Sequence, residues 1–350
     1  SHIRTPENAE TVLGEGAADL VSIVRGQIAD PHLARKAGEG RADDIRGCIS
    51  CNQMCWGRRS RDYWISCLIN PSAGREFEWG GDRFTPAASR KNVFVIGGGP
   101  AGLEAARVCA ERGHKVILAE ASSRLGGNFL LAGLQPRRAQ ILDLIAWYER
   151  QLEKLGVEVR LNSYVEAEDI DPSEADVAIV ATGSCSPETG FQKAFRVEGV
   201  MARQARPGDR VLLLDEGGGW RGCGTAWKLA EDGHRVTIVT PDPFVGKELQ
   251  RTAADAPMRQ ALRKLGVEWI VESSIAEWHG NGAAVLDHNT GERRFVEADA
   301  LVTATTNFAA DWLSPGLAER GLESRLIGDC AAPRQAPYAF FEGRKAGLEI

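Results

Sequence analysis

Ten residues constrain this chain more than any others: Val93-Phe-Val-Ile-Gly-Gly-Gly-Pro-Ala-Gly102 writes a strand, a glycine loop and a helix start in immediate succession. In Gly97-x-Gly99-x-x-Gly102 the glycines permit a tight turn, close approach of the backbone to a pyrophosphate, and close helix–strand packing. The helix N-terminus adds partial positive charge. A bare G-x-G-x-x-G is a weak signal. Here Glu120 follows at the end of the next strand, 18 residues beyond Gly102, where a carboxylate accepts hydrogen bonds from ribose hydroxyls and disfavours a 2′-phosphate. The plain alternative for Glu120 is an exposed strand-end acid.

Around this loop the pattern alternates strand and helix: strand Asn92–Ile96, helix Ala101–Arg112, strand Lys115–Glu120, an amphipathic helix Ala139–Leu155, strand Val157–Leu161 and strand Asp176–Ala181. Alternation of this kind predicts a parallel sheet. After a proline-bearing linker, Ser184–Gly208, the pattern restarts with strand Arg210–Leu214, loop Gly217–Gly224, helix Thr225–Asp232 and strand Arg235–Thr240. An antiparallel-looking stretch follows at Glu268–Val271, Ala283–Asp287 and Arg294–Val296. Ala300–Ala304 and Arg325–Gly328 then read as strands returning to the first sheet. The expectation is one nucleotide domain inserted into another.

The second loop is the poorer one. An acid, Asp215, falls near the expected first glycine and would repel a pyrophosphate. The register Gly217, Gly219, Gly222 restores the spacing with two extra residues. The following strand ends in Thr240-Pro241, with no acid for a ribose and no arginine for a 2′-phosphate. NAD(P)H is therefore a possible ligand here rather than an expected one.

Upstream lie Cys48, Cys51, Cys55 and Cys67, spaced C-x2-C-x3-C-x11-C in a segment (46–90) rich in Cys, Trp and Gly and poor in periodicity, which needs a metal to order it. Three close thiolates and a distant fourth suit a four-iron cluster. Zinc is the rival, although structural zinc commonly takes two C-x2-C knuckles and only Cys48 and Cys51 form one. Trp56 and Trp64 are placed to shield such a group, or simply to pack. Cys109, Cys185, Cys223 and Cys330 are scattered and read as buried, inert thiols. The first 45 residues read as helix Pro6–Leu13, strand Ala18–Val24 and a polar helix near Pro31–Glu39, a step too small to fold alone.

At 350 residues and 43% hydrophobic content the chain has room for two or three domains. A net charge of −6 with interspersed signs offers no basic stripe for nucleic acid. The polar start Ser1–Glu10 has no apolar signal core, and runs such as Val177–Ala181 are too short for a membrane span. A cytoplasmic protein is expected. Six dispersed histidines, with no G-x-S-x-G and no P-loop lysine, leave hydrolase and kinase readings without support.

Five motifs in order resemble the C-terminal half of the iron–sulfur flavoproteins related to trimethylamine, dimethylamine and histamine dehydrogenase and to 2,4-dienoyl-CoA reductase. They are Cys48-Ile-Ser-Cys-Asn-Gln-Met-Cys55 with Ser66-Cys-Leu-Ile-Asn-Pro71, then Val95-Ile-Gly-Gly-Gly-Pro-Ala-Gly-Leu-Glu104, Leu125-Gly-Gly127, Ala181-Thr-Gly183, and Ile327-Gly-Asp-Cys-Ala-Ala-Pro333. The resemblance implies an α/β chain: residues 1–45 as the end of an FMN-binding TIM barrel, 46–90 as a [4Fe-4S] module, and two nested Rossmann-like domains of glutathione-reductase type, 91–207 with 299–350 and, inserted, 208–298. It places Arg25 at the FMN phosphate and the cluster on Cys48, Cys51, Cys55 and Cys67. FAD or ADP falls on Gly97, Gly99, Pro100, Ala101, Gly102, Glu120, Ala121, Leu125, Gly126, Gly127, Ala181, Thr182, Gly183, Gly328 and Asp329, the last meeting the ribityl chain if FAD is bound. The helix after Pro337 aims its N-terminus at the flavin. Most of the barrel, with the residues that act on substrate, is absent, so a missing barrel portion or subunit is implied. A homo-oligomer and an electron-transfer flavoprotein are the other expected partners.

The cysteine spacing is that of the dienoyl-CoA reductases, where NADPH feeds electrons inward. The second loop, the Gly-Asp-x-x-Ala-Pro motif and Ala73-Gly-Arg-Glu76 look more like the amine dehydrogenases. A degenerate second loop favours the amine-oxidising branch. A zinc-stabilised nucleotide-binding scaffold without redox activity is the reading from another class.

Overall fold

The computed structural model describes residues 3–81, 84–188 and 190–350. The chain divides into two compact units. The first comprises Ser1–Leu130, Gln140–Ser184 and Ala309–Ile350, the second Leu131–Ala139 and Cys185–Phe308.

The first unit is built on a five-stranded parallel sheet in the order Ser324–Leu326, Val177–Val180, Asn92–Ile96, Lys115–Ala119, Glu158–Arg160. Its central strands are short runs of Val, Ile, Phe and Ala, and every residue of Val177–Val180 is buried. Such runs cannot leave either face in water; Phe94, Ile96, Ala178 and Val180 on one face pack against Val165, Ile170, Leu313 and Leu317. Helix Pro100–Glu111 is the central helix. It buries all of Ala101–Cys109 and packs along helix Ala336–Glu349, where small residues let the backbones meet: a Cβ on Gly343 would stand 2.3 Å from the Ala101 carbonyl oxygen.

The second unit repeats the plan: Phe195–Arg196, Ala300–Ala304, Arg210–Asp215, Arg235–Val239 and Glu268–Ile270, again all parallel. A three-stranded antiparallel meander, Ser273–Trp278, Gly282–Asp287 and Arg293–Glu297, completes it.

Four sequence expectations change. Ala300–Ala304 pairs with Arg210–Asp215 in the second sheet instead of returning to the first; a strand buried at every residue encodes burial, not which sheet receives it. The stretch 184–208 is no linker, since it carries strand Phe195–Arg196 and helix Val197–Met201 of the second unit. The second glycine loop ends earlier than read, because helix Trp220–Glu231 starts directly after Gly219. Ala18–Val24 forms no strand; residues 18–23 are irregular and Val24–Ala29 is a short helix. A strand needs a neighbour to take its amides and carbonyls, and among the described residues none pairs there.

Among the described residues no helix is long and apolar enough to cross a membrane.

Candidate functional site: a cysteine cavity and a glycine loop

Cys48, Cys51, Cys55 and Cys67 line one cavity, with Ile28, Ile49, Met54, Leu68 and Ile69 as apolar wall and Arg25 and Asn52 as polar lining. The chain curls around it through two residues in the left-handed region, Ser50 (φ 57°) and Asn52 (φ 58°), which alternate with the first ligands. Backbone amides aim at the sulfurs: Ser50 donates to Cys48 Sγ at 3.4 Å, Gln53 to Cys51, and Ile69 and Asn70 to Cys67. Burial pushes the free Cys51 thiol up to about 12 and Cys67 to about 11, so only a bound cation would hold them as thiolates at neutral pH. No three His, Cys, Asp or Glu side chains among the described residues close on a metal ion by themselves; what the four cysteines share is the cavity. An apolar chamber ringed by four cysteines and their N–H donors fits an iron–sulfur cluster.

Trp56 and Trp64 do not shield this chamber. They are 54% and 60% exposed, and Arg58 stacks on Trp64, its Cζ 4.5 Å from the ring centre. Arg25 stands in the first turn of Val24–Ala29 and donates from Nη1 to Asn52 Oδ1 at 2.7 Å.

In the same unit, Gly97 turns the chain after the first strand with φ 106°, and Gly102 lies so close beneath it that a Cβ would meet the Gly97 carbonyl oxygen at 1.9 Å. Pro100 opens the helix, where its missing N–H costs nothing. Glu120 reaches back to the loop: its Oε2 accepts from the Gly98 amide at 2.7 Å and its Oε1 from Ser122 at 2.8 Å. Ala121 lies between these two contacts in sequence. Leu125-Gly126-Gly127 closes over the same turn, the Gly126 amide donating to the Gly98 carbonyl at 2.8 Å. No atom stands near where a Cβ on Gly99 or Gly183 would lie, so both backbones face open space. Ala181 accepts close approach from Gly97, and Thr182 Oγ1 donates to Ala310 at 2.6 Å. Asp329 accepts from the Ser184 hydroxyl at 3.0 Å and the Arg334 amide at 3.1 Å, while the Gly328 amide donates to Glu342 at 2.7 Å. These segments form an open cradle with Glu120 at the loop and Asp329 farther along, which fits an adenine dinucleotide.

A buried hub, invisible as a motif, joins the two sites. Glu104, two residues past Gly102, is fully buried. It accepts from Arg107 Nε and Nη2 at 3.1 Å each, from Arg344 Nε at 2.5 Å and from Tyr148 Oη at 2.8 Å. Burial alone would raise its carboxyl; the Arg107 and then the Arg344 guanidinium hold it down at about 2. Arg344 also donates to Ser72, five residues beyond Cys67. The glycine-loop helix and the cysteine segment are thereby clamped to one ion-pair centre.

In the second unit, Gly217, Gly219 and Gly222 occupy the places of Gly97, Gly99 and Gly102. Asp215 takes the place of Val95: a Cβ on Gly102 would lie 3.3 Å from Val95 Cγ1, and one on Gly222 would lie 2.3 Å from the Asp215 carboxyl carbon. Asp215 thus lies under the loop, not in front of it. Its Oδ1 accepts from the Gly217 and Gly218 amides at 3.2 and 3.1 Å, and Cys223 Sγ is 3.5 Å from Oδ2. Burial pushes its pKa up to about 6 against these hydrogen bonds. The expected lack of a ribose acid is also corrected. Asp242 Oδ2 would be 2.6 Å from a Cβ on Gly218, as Glu120 Oε2 would be 3.1 Å from one on Gly98. Asp242 pairs with Lys247 at 2.7 Å. The signal that could have found it is Val245-Gly246, which follows Thr240 at the spacing of Leu125-Gly126 after Glu120. Of the scattered cysteines Cys109, Cys223 and Cys330 are buried, but Cys185 is exposed.

The pyridine nucleotide-disulphide oxidoreductase family matches residues 91–311. An NADH oxidase of Thermoanaerobacter brockii is 37% identical over 93% of this chain and 51% of its own length. A probable N-methylproline demethylase of Rhizobium meliloti (strain 1021) is 36% identical over 80% of this chain and 41% of its own. The solved complex of 2-naphthoyl-CoA reductase with 2-naphthoyl-CoA superposes with a TM-score of 0.93 at 30% identity, covering 99% of this chain and 53% of that one. The chain spans about half the length of the curated relatives it matches. With its paired parallel sheets and its glycine loop, this chain belongs to the pyridine nucleotide-disulphide oxidoreductase family.

Proposed function

We propose that this chain is the electron-transfer part of an FMN- and iron–sulfur-dependent oxidoreductase that oxidises an amine or N-methylated compound and delivers electrons to an external acceptor such as an electron-transfer flavoprotein. The carrying observation is that four cysteines ring one cavity in the same compact unit as the Gly97–Gly102 loop. When bound, the cluster supplies one-electron transfer and the flavin supplies the exchange between electron pairs and single electrons. Cys48, Cys51, Cys55 and Cys67 hold the cluster, and their amide partners orient the sulfurs. Glu120 takes the ribose of FAD or ADP, with Gly97–Gly102 and Leu125–Gly127 at its pyrophosphate. The N-terminus of helix Ala336–Glu349 adds about 0.3–1 kcal/mol for an anionic group placed there. A barrel-bearing segment or subunit would carry FMN and the substrate pocket, and a homo-oligomer is the proposed assembly.

The amine branch is favoured by Asp215, which engages two amides of the second loop and leaves a carboxylate beneath a pyrophosphate position. Similarity to the N-methylproline demethylase supports the same branch. A second reading, an NAD(P)H-dependent enoate- or 2,4-dienoyl-CoA-type reductase, is favoured by Asp242 beside Gly218, an acid that suits NADH better than NADPH.

Anaerobic purification with iron, sulfide and zinc assays, followed by release of bound nucleotide and exposure to NADH and NADPH, tests both. The first reading expects iron and acid-labile sulfide, broad absorbance bleached by dithionite, FAD or ADP on release, and no bleaching by either nicotinamide. Rapid bleaching by NADH or NADPH transfers the case to the reductase. A colourless zinc protein leaves only a nucleotide-binding scaffold. Cys55→Ala should lose the iron.

A further inference from the structure

We propose that Arg25 raises the reduction potential of the cluster held by Cys48, Cys51, Cys55 and Cys67, acting as a positioning and charge-tuning residue. The inference rests on the reading that these cysteines hold an iron–sulfur cluster. Arg25 lines the same cavity as all four cysteines. Its guanidinium is fixed by Asn52 Oδ1 at 2.7 Å, and Asn52 is itself pinned between the second and third cysteines. Asn52 has φ 58°, and its carbonyl accepts from the Gly57 amide at 2.7 Å. The cation therefore cannot drift far from the chamber. The remaining wall is Ile28, Ile49, Met54, Leu68 and Ile69, an environment that screens charge less than water does.

One electron added to a thiolate-held cluster makes the assembly more negative by one charge, with no bond made or broken. A neighbouring cation stabilises that reduced form and raises the midpoint. Net charge and the surrounding shell are among the recognised levers on such potentials. The observed position also gives Arg25 work beyond a phosphate contact: it is joined to the ligand loop itself.

The test is a mediated redox titration of the whole chain, followed by electron paramagnetic resonance, with iron and sulfide measured on every sample. Arg25→Met is expected to lower the equilibrium constant for cluster reduction about tenfold, which is about 59 mV for one electron. Arg25→Lys, keeping the charge, should restore most of that shift. Asn52→Asp keeps Arg25 but sets a carboxylate against it, and should lower the midpoint in the same direction; it decides the matter if Arg25→Met fails to take up iron. A fully loaded Arg25→Met or Asn52→Asp with an unmoved midpoint overturns the inference alone, as does an equal shift in the Met and Lys variants. Wild-type chain without iron and sulfide overturns the cluster reading itself and the inference with it.

Discussion

Each of the two glycine-loop regions keeps a carboxylate out of water, and they keep it in opposite ways. In the first unit Glu104 sits on the loop helix between Arg107 and Arg344, with Tyr148 donating as well. In the second unit Asp215 sits under the loop with two backbone amides and a thiol for company. The first carboxyl is held at about 2 and the second is pushed up to about 6. A buried carboxylate is stable when guanidiniums replace its hydration, and neutral hydrogen bonds alone do not suffice. The first loop thus rests on a neutralised ionic clamp that also grips Ser72 of the cysteine segment. The second rests on an acid that is charged at neutral pH and has no ion pair among the described residues.

Removing one member of the clamp should have the largest effect. Glu104→Gln removes the buried charge shared by Arg107 and Arg344, of which Arg107 keeps its ion pair with Glu111, and is expected to cost about 3–5 kcal/mol, read by chemical denaturation of the first unit. A change below 1 kcal/mol would mean the hub is not what holds the unit. Because the Glu104 pKa is depressed, the stability it contributes is present above the ordinary Glu range, near 4.5, and is lost as pH falls toward about 2.

Asp215 has the opposite sign. With its folded pKa raised from 3.8 to about 6, the folded state binds the proton more tightly than the unfolded chain. The second unit should therefore weaken as pH rises through that interval, by about 3 kcal/mol at most. Asp215→Asn should remove this slope and stabilise the chain at pH 7 by about 1–3 kcal/mol. Parallel denaturation curves for wild type and variant between pH 4 and 7 would refute the contrast with Glu104.

Gly102→Ala should cost about 1–3 kcal/mol and lower retained nucleotide, because the new methyl meets the Gly97 backbone. The three atoms nearest a Gly222→Ala methyl all belong to the Asp215 side chain, so Asp215→Ala should relieve Gly222→Ala in a double-mutant cycle. No substitution of that side chain has an equivalent at Gly102.

The smallest expected effect is on the loop acids. Glu120→Ala should weaken binding of the released nucleotide by about 1.5–3 kcal/mol, the range for a charged hydrogen bond, as titrated calorimetrically. Asp242→Ala should leave that binding unchanged. If Asp242→Ala instead abolished a response to NADH, the reductase reading would gain and the two loops would prove functionally equal.

Much of the first loop was legible because its determinants are contiguous. Strand, three glycines, helix and strand-end acid follow one another, and the structure places each within a residue or two of its expected span. The cysteine spacing likewise foretold a common chamber. Asp242 was missed because its carboxylate arrives at the loop from two residues beyond the usual position, by a path that only the folded turn Thr240–Gly246 defines. Trp56 and Trp64 were misread for a similar reason. Nearness in sequence to a ligand does not say which way an indole faces, and aliphatic residues fill the wall instead.

The sequence by itself determined the element pattern, the presence of two glycine-loop units and the set of thiols available for a metal group, since periodicity, turn residues and spacing are local properties of the chain. Tertiary structure alone decided that Ala300–Ala304 joins the second sheet, that Asp215 lies under its loop, that Glu104 gathers Arg107, Arg344 and Tyr148, and that Arg25 faces the cysteines. Each of these depends on groups far apart in sequence meeting in low-dielectric surroundings, where partner and burial set the energy of a charge.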